Sequence, residues 1–138
     1  MLIRLIYASR SNEPVTPAMI DSIIEQSRRR NPALGITGVL CHGGDAFMQA
    51  LEGSRTAVNE VYNAIVRDAR HRDVTLISCE EIAQRRFGSW TMGRVNLAHV
   101  NASTLLKYGE KAVFDPFVVH SSVALAFLDE MMLTAQVG

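Results

Sequence analysis

The chain has 138 residues, 48% of them apolar and 20% charged, the composition of a folded globular domain rather than a disordered segment. Fourteen basic residues balance fourteen acidic ones, so no basic excess is available to neutralise phosphates and a nucleic-acid partner is not expected. No apolar run reaches the ~20 residues of a membrane span. Cys41 and Cys79 have neither metal-ligand nor redox spacing, no metal is expected, and the cytoplasm is the expected compartment.

In chain order, LIRLIYAS alternates as a strand with Ile3, Leu5 and Tyr7 on one face. TPAMIDSIIEQSRRRN reads as a helix, capped by Thr16, with Pro17 in its first turn and Asn31–Pro32 as its expected end. Met19, Ile20, Ile23, Ile24 and Ser27 form its stripe. The strands GITGVLCH and AFMQALEG follow, joined as a hairpin through His42, Gly43, Gly44 and Asp45. Ser54 opens a second helix, RTAVNEVYNAIVRDARH, with Val58, Val61, Tyr62, Ile65, Val66 and Ala69 on one stripe.

VTLISCEEI is a fourth strand and WTMGRV a short fifth one, with Trp90 and Met92 sharing a face. The order β-α-β-β-α-β-β is α+β and ferredoxin-like, with both helices on one face of an antiparallel sheet. SSVALAFLDEMML then reads as a helix whose Val123, Leu125, Phe127, Leu128, Met131 and Met132 exceed what one stripe needs. It is expected to cover the sheet's other face or to meet a partner. The expected organisation is one domain over 1–97 and a C-terminal helical extension over 98–138. Charges gather at the expected helix ends: Arg28, Arg29 and Arg30 on the first, Arg67, Arg70 and His71 on the second. The helix macrodipole accounts for most of them.

Gln49 is the residue out of place. It shares a strand face with Phe47 and Leu51, where an unpaired polar group costs roughly 1–3 kcal/mol. Tyr7 carries a phenol onto the same helix-facing side of the sheet, and Asn31 adds a second amide from the end of the first helix. Each residue alone has an ordinary explanation as an amphipathic core residue, a wet edge or a helix stop. Together they describe a slot walled by Ile23, Ile24 and Ile65 with a polar rim, suited to a flat and mostly apolar ligand. A phosphate-bearing tail leaving the slot would meet the arginines at the helix ends.

These residues resemble the BLUF family, blue-light sensors that bind FAD between the two helices of a ferredoxin-like fold. The resemblance rests on IYAS at 6–9, NPALGITGVL at 31–40, FMQALEG at 47–53, VYNAIVRDARH at 61–71 and RRFGSWTMG at 85–93. It implies that Tyr7 and Gln49 carry the photocycle and that Asn31 binds the flavin's carbonyl edge. Asp68, Arg70 and His71 would lie beside the ring's pyrimidine end and the ribityl chain, with Ile24, Phe47 and Ile65 also against the cofactor. Trp90 and Met92 would be the pair whose placement responds to light.

By the same resemblance Tyr7 gives an electron and then a proton to the excited flavin. Gln49, both donor and acceptor, then rotates or tautomerises. The expected function is a photoreceptor rather than an enzyme, acting on an unidentified downstream protein and self-associating as a homo-oligomer. The alternatives are a flavin-dependent oxidoreductase of the same fold and a light-independent ferredoxin-like ligand-binding module.

Overall fold

The computed structural model describes residues 1–134 and 136–138. Five strands, β1 (Leu2–Ser11), β2 (Thr37–Gly43), β3 (Ala46–Ser54), β4 (His71–Ile82) and β5 (Gly93–Asn96), form one sheet in the order β4-β1-β3-β2-β5. Neighbours are antiparallel except β2 and β5, which run parallel, so the sheet is mixed. Helices α1 (Pro17–Leu34) and α2 (Arg55–Arg67) connect the strands. A 3₁₀ turn (Leu97–His99), a single turn α3 (Ala102–Leu105) and α4 (Ser121–Leu133) follow. The α+β, ferredoxin-like reading of the sequence holds.

Because strand side chains alternate, the sheet sorts its residues into two cores. On one face Ile3, Leu5, Tyr7, Leu40, Phe47 and Leu51 pack against Ile20 and Ile24 of α1 and Val58 and Val61 of α2. On the other, Ile6, Val39, Cys41, Met48, Ala50 and Val95 pack against Ala124, Phe127, Leu128 and Met131 of α4. The surplus apolar surface of α4 is therefore spent within the chain. Phe127 stacks on Phe114 with ring centroids 4.2 Å apart and meets the edge of Tyr108 at 5.4 Å. Tyr108 Oη also donates to Glu130 Oε1, and Lys107 Nζ reaches Glu130 Oε2 at 2.9 Å.

Helix starts follow their signals: Thr16 Oγ1 accepts from Met19 N, and Ser54 Oγ accepts from Ala57 N. The expected stop at Asn31–Pro32 does not occur, and α1 runs on to Leu34. Proline removes one N–H, a small loss near a C-terminus, and the actual stop is Gly35 at φ 65°. Gly35 N donates to Pro32 O and Ile36 N to Asn31 O, the paired closure that a left-handed glycine permits. Arg28, Arg29 and Arg30 thus stand before the last turn rather than in it. Arg70 and His71 lie beyond the end of α2, and from its expected stripe Val66 is half exposed and Ala69 is outside the helix.

A buried ion pair spans β1 and β3 on the α4 side. Arg4 and Glu52 are cross-strand partners, 4% and 0% exposed, with Arg4 Nε 2.8 Å from Glu52 Oε2. Glu52 also accepts from the backbone N–H groups of Arg86 at 3.0 Å and Phe87 at 2.7 Å, fastening the β4–β5 connection to the sheet. Unlike most buried pairs, this carboxylate has its lone pairs met by three donors, which offsets its desolvation.

Candidate functional site

Tyr7 and Gln49 face one another across the β1–β3 ladder, 2% and 3% exposed. Tyr7 Oη donates to Gln49 Oε1 at 2.5 Å, and Gln49 Nε2 donates to Met92 Sδ at 3.3 Å. The amide is thus held by one strong bond and by one weak bond to a thioether. Burial, with Tyr62 next in effect, pushes the Tyr7 phenol well above its ordinary range, so the hydroxyl keeps its proton throughout the physiological range. The Tyr62 ring lies tilted against it at 5.6 Å.

Above this pair, between α1 and α2, opens a cleft with about 600 Å³ of atom-free space continuous with solvent. Ile23, Leu40, Phe47, Ala64 and Ile65 supply its apolar lining, and Tyr7, Gln49 and Ser27 its polar floor. Asp68, Arg70 and His71 stand with Arg30 and Gln26 around it. Arg70 grips Asp68 through Nη2 at 2.7 Å and Nε at 3.1 Å, which holds the Asp68 carboxyl below its usual range. His71 Nδ1 lies 2.9 Å from Ser9 Oγ and its ring 5.5 Å from Phe47. Burial lowers its pKa, favouring the neutral ring.

Two residues expected in the slot, Ile24 and Asn31, are not among those lining the cleft in this structure. Ile24, 5% exposed, packs in the core without lining the cleft. Asn31 is fully buried beside the segment before β5, where its Nδ2 donates to Thr91 O at 2.8 Å and its Oδ1 lies 3.4 Å from Arg30 Nε. Arg28 Nε donates to Met92 O at 3.1 Å and Gly38 N to Trp90 O at 3.0 Å, so three successive carbonyls are gripped.

Trp90 and Met92 do not share a strand face, because β5 begins only at Gly93. Freed from strand alternation, Met92 is 1% exposed in the core beneath α1 and α2, while Trp90 packs half-buried into the α4-side core. Ser27, Gln26, Leu40 and Ala64 were missed by sequence reasoning. Ser27 carried a usable signal, a hydroxyl at the buried position of an otherwise apolar stripe.

Asn31→Ala is expected to loosen the Trp90–Met92 segment and to lower flavin occupancy more than it lowers stability. It removes the donor to Thr91 O without touching the cap at Gly35, and the loss of one such bond is worth ~1 kcal/mol. Flavin occupancy of the purified variant, set beside the melting of both apo proteins, checks this. A large drop in apo melting with unchanged occupancy would make the residue purely structural.

The cleft's place between two helices, its apolar lining and its donor–acceptor floor suit the face and polar edge of an isoalloxazine ring. Residues 2–93 match the family model of BLUF, sensors of blue-light using FAD. The chain is 36% identical over 117 residues to the blue light- and temperature-regulated antirepressor BluF of Escherichia coli (strain K12), covering 83% of this chain and 28% of that protein. It is 36% identical over 92 residues to the photoactivated adenylate cyclase subunit beta of Euglena gracilis, covering 66% of this chain and 11% of that one. Among solved structures, the photo-activated state of BlsA superposes with a TM-score of 0.82 at 31% identity, covering 94% of each chain.

The chain belongs to the BLUF family and is a blue-light flavin photoreceptor. FAD is the cofactor that family uses. The chain spans about a quarter or less of the length of these two curated relatives, in which such domains are parts of larger proteins.

Proposed function

We propose that this chain senses blue light through FAD held between α1 and α2 and reports it by altered contacts with another protein. The observation that carries this reading is the hydrogen-bonded row Tyr7–Gln49–Met92 at the floor of the cleft. Ile23, Leu40, Phe47 and Ile65 would wall the ring, and Asp68, Arg70 and His71 would flank its exit. Asn31, bonded to Thr91 O beside this lining, would turn its amide to the ring's carbonyl edge. Bound there, the flavin supplies blue-light absorption and one-electron acceptance.

Tyr7 holds the proton on Oη, shielded from water and shared with Gln49 Oε1 at 2.5 Å. To reverse its amide Gln49 must leave both the Tyr7 hydroxyl and the weak contact to Met92 Sδ, and each end then offers the opposite hydrogen-bonding function. The resulting change reaches Met92 first and, through the Trp90–Met92 segment, the α4 side of the sheet. In this reading residues 1–97 are the sensor domain and 98–138 the output extension, whose exposed Val113, Val118 and Leu133 offer apolar contact to a partner or a second copy. The chain is in this reading a sensor rather than an enzyme. Among the described residues no helix is long and apolar enough to cross a membrane; the sensor is proposed to act in the cytoplasm.

Releasing and identifying the chromophore of the purified protein, then recording its spectrum before and after blue light, tests the proposal. One FAD per chain and a red shift that reverses in darkness without added reductant are expected. A colourless, folded preparation that ignores added flavin would overturn it.

A further inference from the structure

We propose that Glu52 is a positioning residue that sets how Met92 meets Gln49, acting from the face of the sheet opposite the flavin. The inference rests on the functional reading above. Glu52 lies three residues along β3 from Gln49, so the two side chains leave one strand on opposite faces, ~10 Å apart along it. Its carboxylate is fully buried, with Oε1 accepting from Phe87 N and Oε2 from Arg86 N and Arg4 Nε.

The connection is held from further directions. Arg85 Nη1 donates to Thr37 Oγ1 at 3.0 Å and to the Glu52 carbonyl at 3.3 Å. The Arg4 guanidinium lies 5.8 Å from the Phe87 ring centroid, and Arg86 Nη1 meets Asp129 of α4 at 2.5 Å. Trp90 N donates back to Phe87 O at 3.1 Å, so only Gly88 and Ser89 separate the anchored end from the light-responsive segment. One carboxylate therefore ties the strand carrying Gln49 to the segment carrying Met92 and to the neighbour of α4. Charge-assisted bonds of this kind resist displacement more than neutral ones.

Trp90 is the single tryptophan, so its fluorescence reports this segment in the full chain. Glu52→Gln removes the charge and replaces one acceptor oxygen by a donor, which cannot serve all three partners. Glu52→Asp keeps the charge and shortens the reach. Both variants are expected to retain flavin and the red shift, because Tyr7 and Gln49 lie on the other face.

Acrylamide quenching of Trp90 in the flavin-free protein should rise severalfold in Glu52→Gln and less in Glu52→Asp. Dark recovery of the flavin-loaded protein should change severalfold in the same order. Quenching and recovery equal to wild type in folded variants would overturn the proposal. If Glu52→Gln does not fold, Glu52→Asp decides by the same two readouts. A wild type without any red shift would instead sink the functional reading, while apo quenching still judges the clamp.

Discussion

Gln49→Leu is expected to bind flavin and to show no light-induced red shift. Leucine preserves the bulk beside Phe47 and Leu51 but offers neither the acceptor for Tyr7 Oη nor the donor to Met92 Sδ. The folded state should survive. Stranding the Tyr7 hydroxyl costs about 1–3 kcal/mol, partly offset by burying an apolar side chain in place of an amide. Tyr7→Phe tests the same link from its other end, removing one oxygen and leaving Gln49 Oε1 without its 2.5 Å donor. Difference spectra of both variants under blue light, at matched flavin occupancy, provide the measurement. A normal red-shifted product in either would remove that residue from the photocycle.

Phe127→Ala should produce the largest loss of stability among single changes in the extension. The ring is fully buried between Phe114 and Tyr108, and truncating such a residue costs roughly 3–5 kcal/mol through lost burial and the cavity left behind. The melting temperature should fall by about 10 °C or more. Since α4 and the cleft lie on opposite faces of the sheet, the flavin spectrum and red shift below the new transition should be unchanged. Thermal melts followed both by far-UV dichroism and by flavin absorbance check this. Loss of flavin with little change in melting would mean that 98–138 belongs to the cofactor-binding unit rather than to an output extension.

The sequence made the Tyr7–Gln49 site legible because it depends on strand alternation, which is the most rigid rule the chain obeys. A polar residue among Phe47 and Leu51, and a phenol among Ile3 and Leu5, had to meet on the buried face once β1 and β3 paired. The same antiparallel register also pairs Arg4 with Glu52 on the opposite face. That pair went unread because a charge inside a strand usually marks the solvent side, and nothing local announces that α4 covers it.

WTMGRV misled for a related reason. Alternation was visible, but strand pairing starts only at Gly93, so Trp90 and Met92 follow the loop's anchors instead. The stop of α1 falls at Gly35 rather than at Asn31–Pro32, because the bias of a residue before proline against helical backbone is a preference that a well-packed helix overrides. Gly35 alone reaches φ 65° there without strain.

The row of carbonyls from Trp90 to Met92 carries a consequence for the shape of the response. Their donors come from two elements, the β2 backbone at Gly38 and two side chains of α1, the Asn31 amide and the Arg28 guanidinium. A slip of this stretch by one position unseats every bond together, and a partial slip satisfies none. Close-packed surroundings deepen the two wells rather than smoothing the passage between them. Illumination should therefore alter the fraction of molecules switched, leaving each molecule either wholly seated or wholly displaced. A population read by its two end states, rather than a dial turned by degrees, is the form in which this fold would deliver its message.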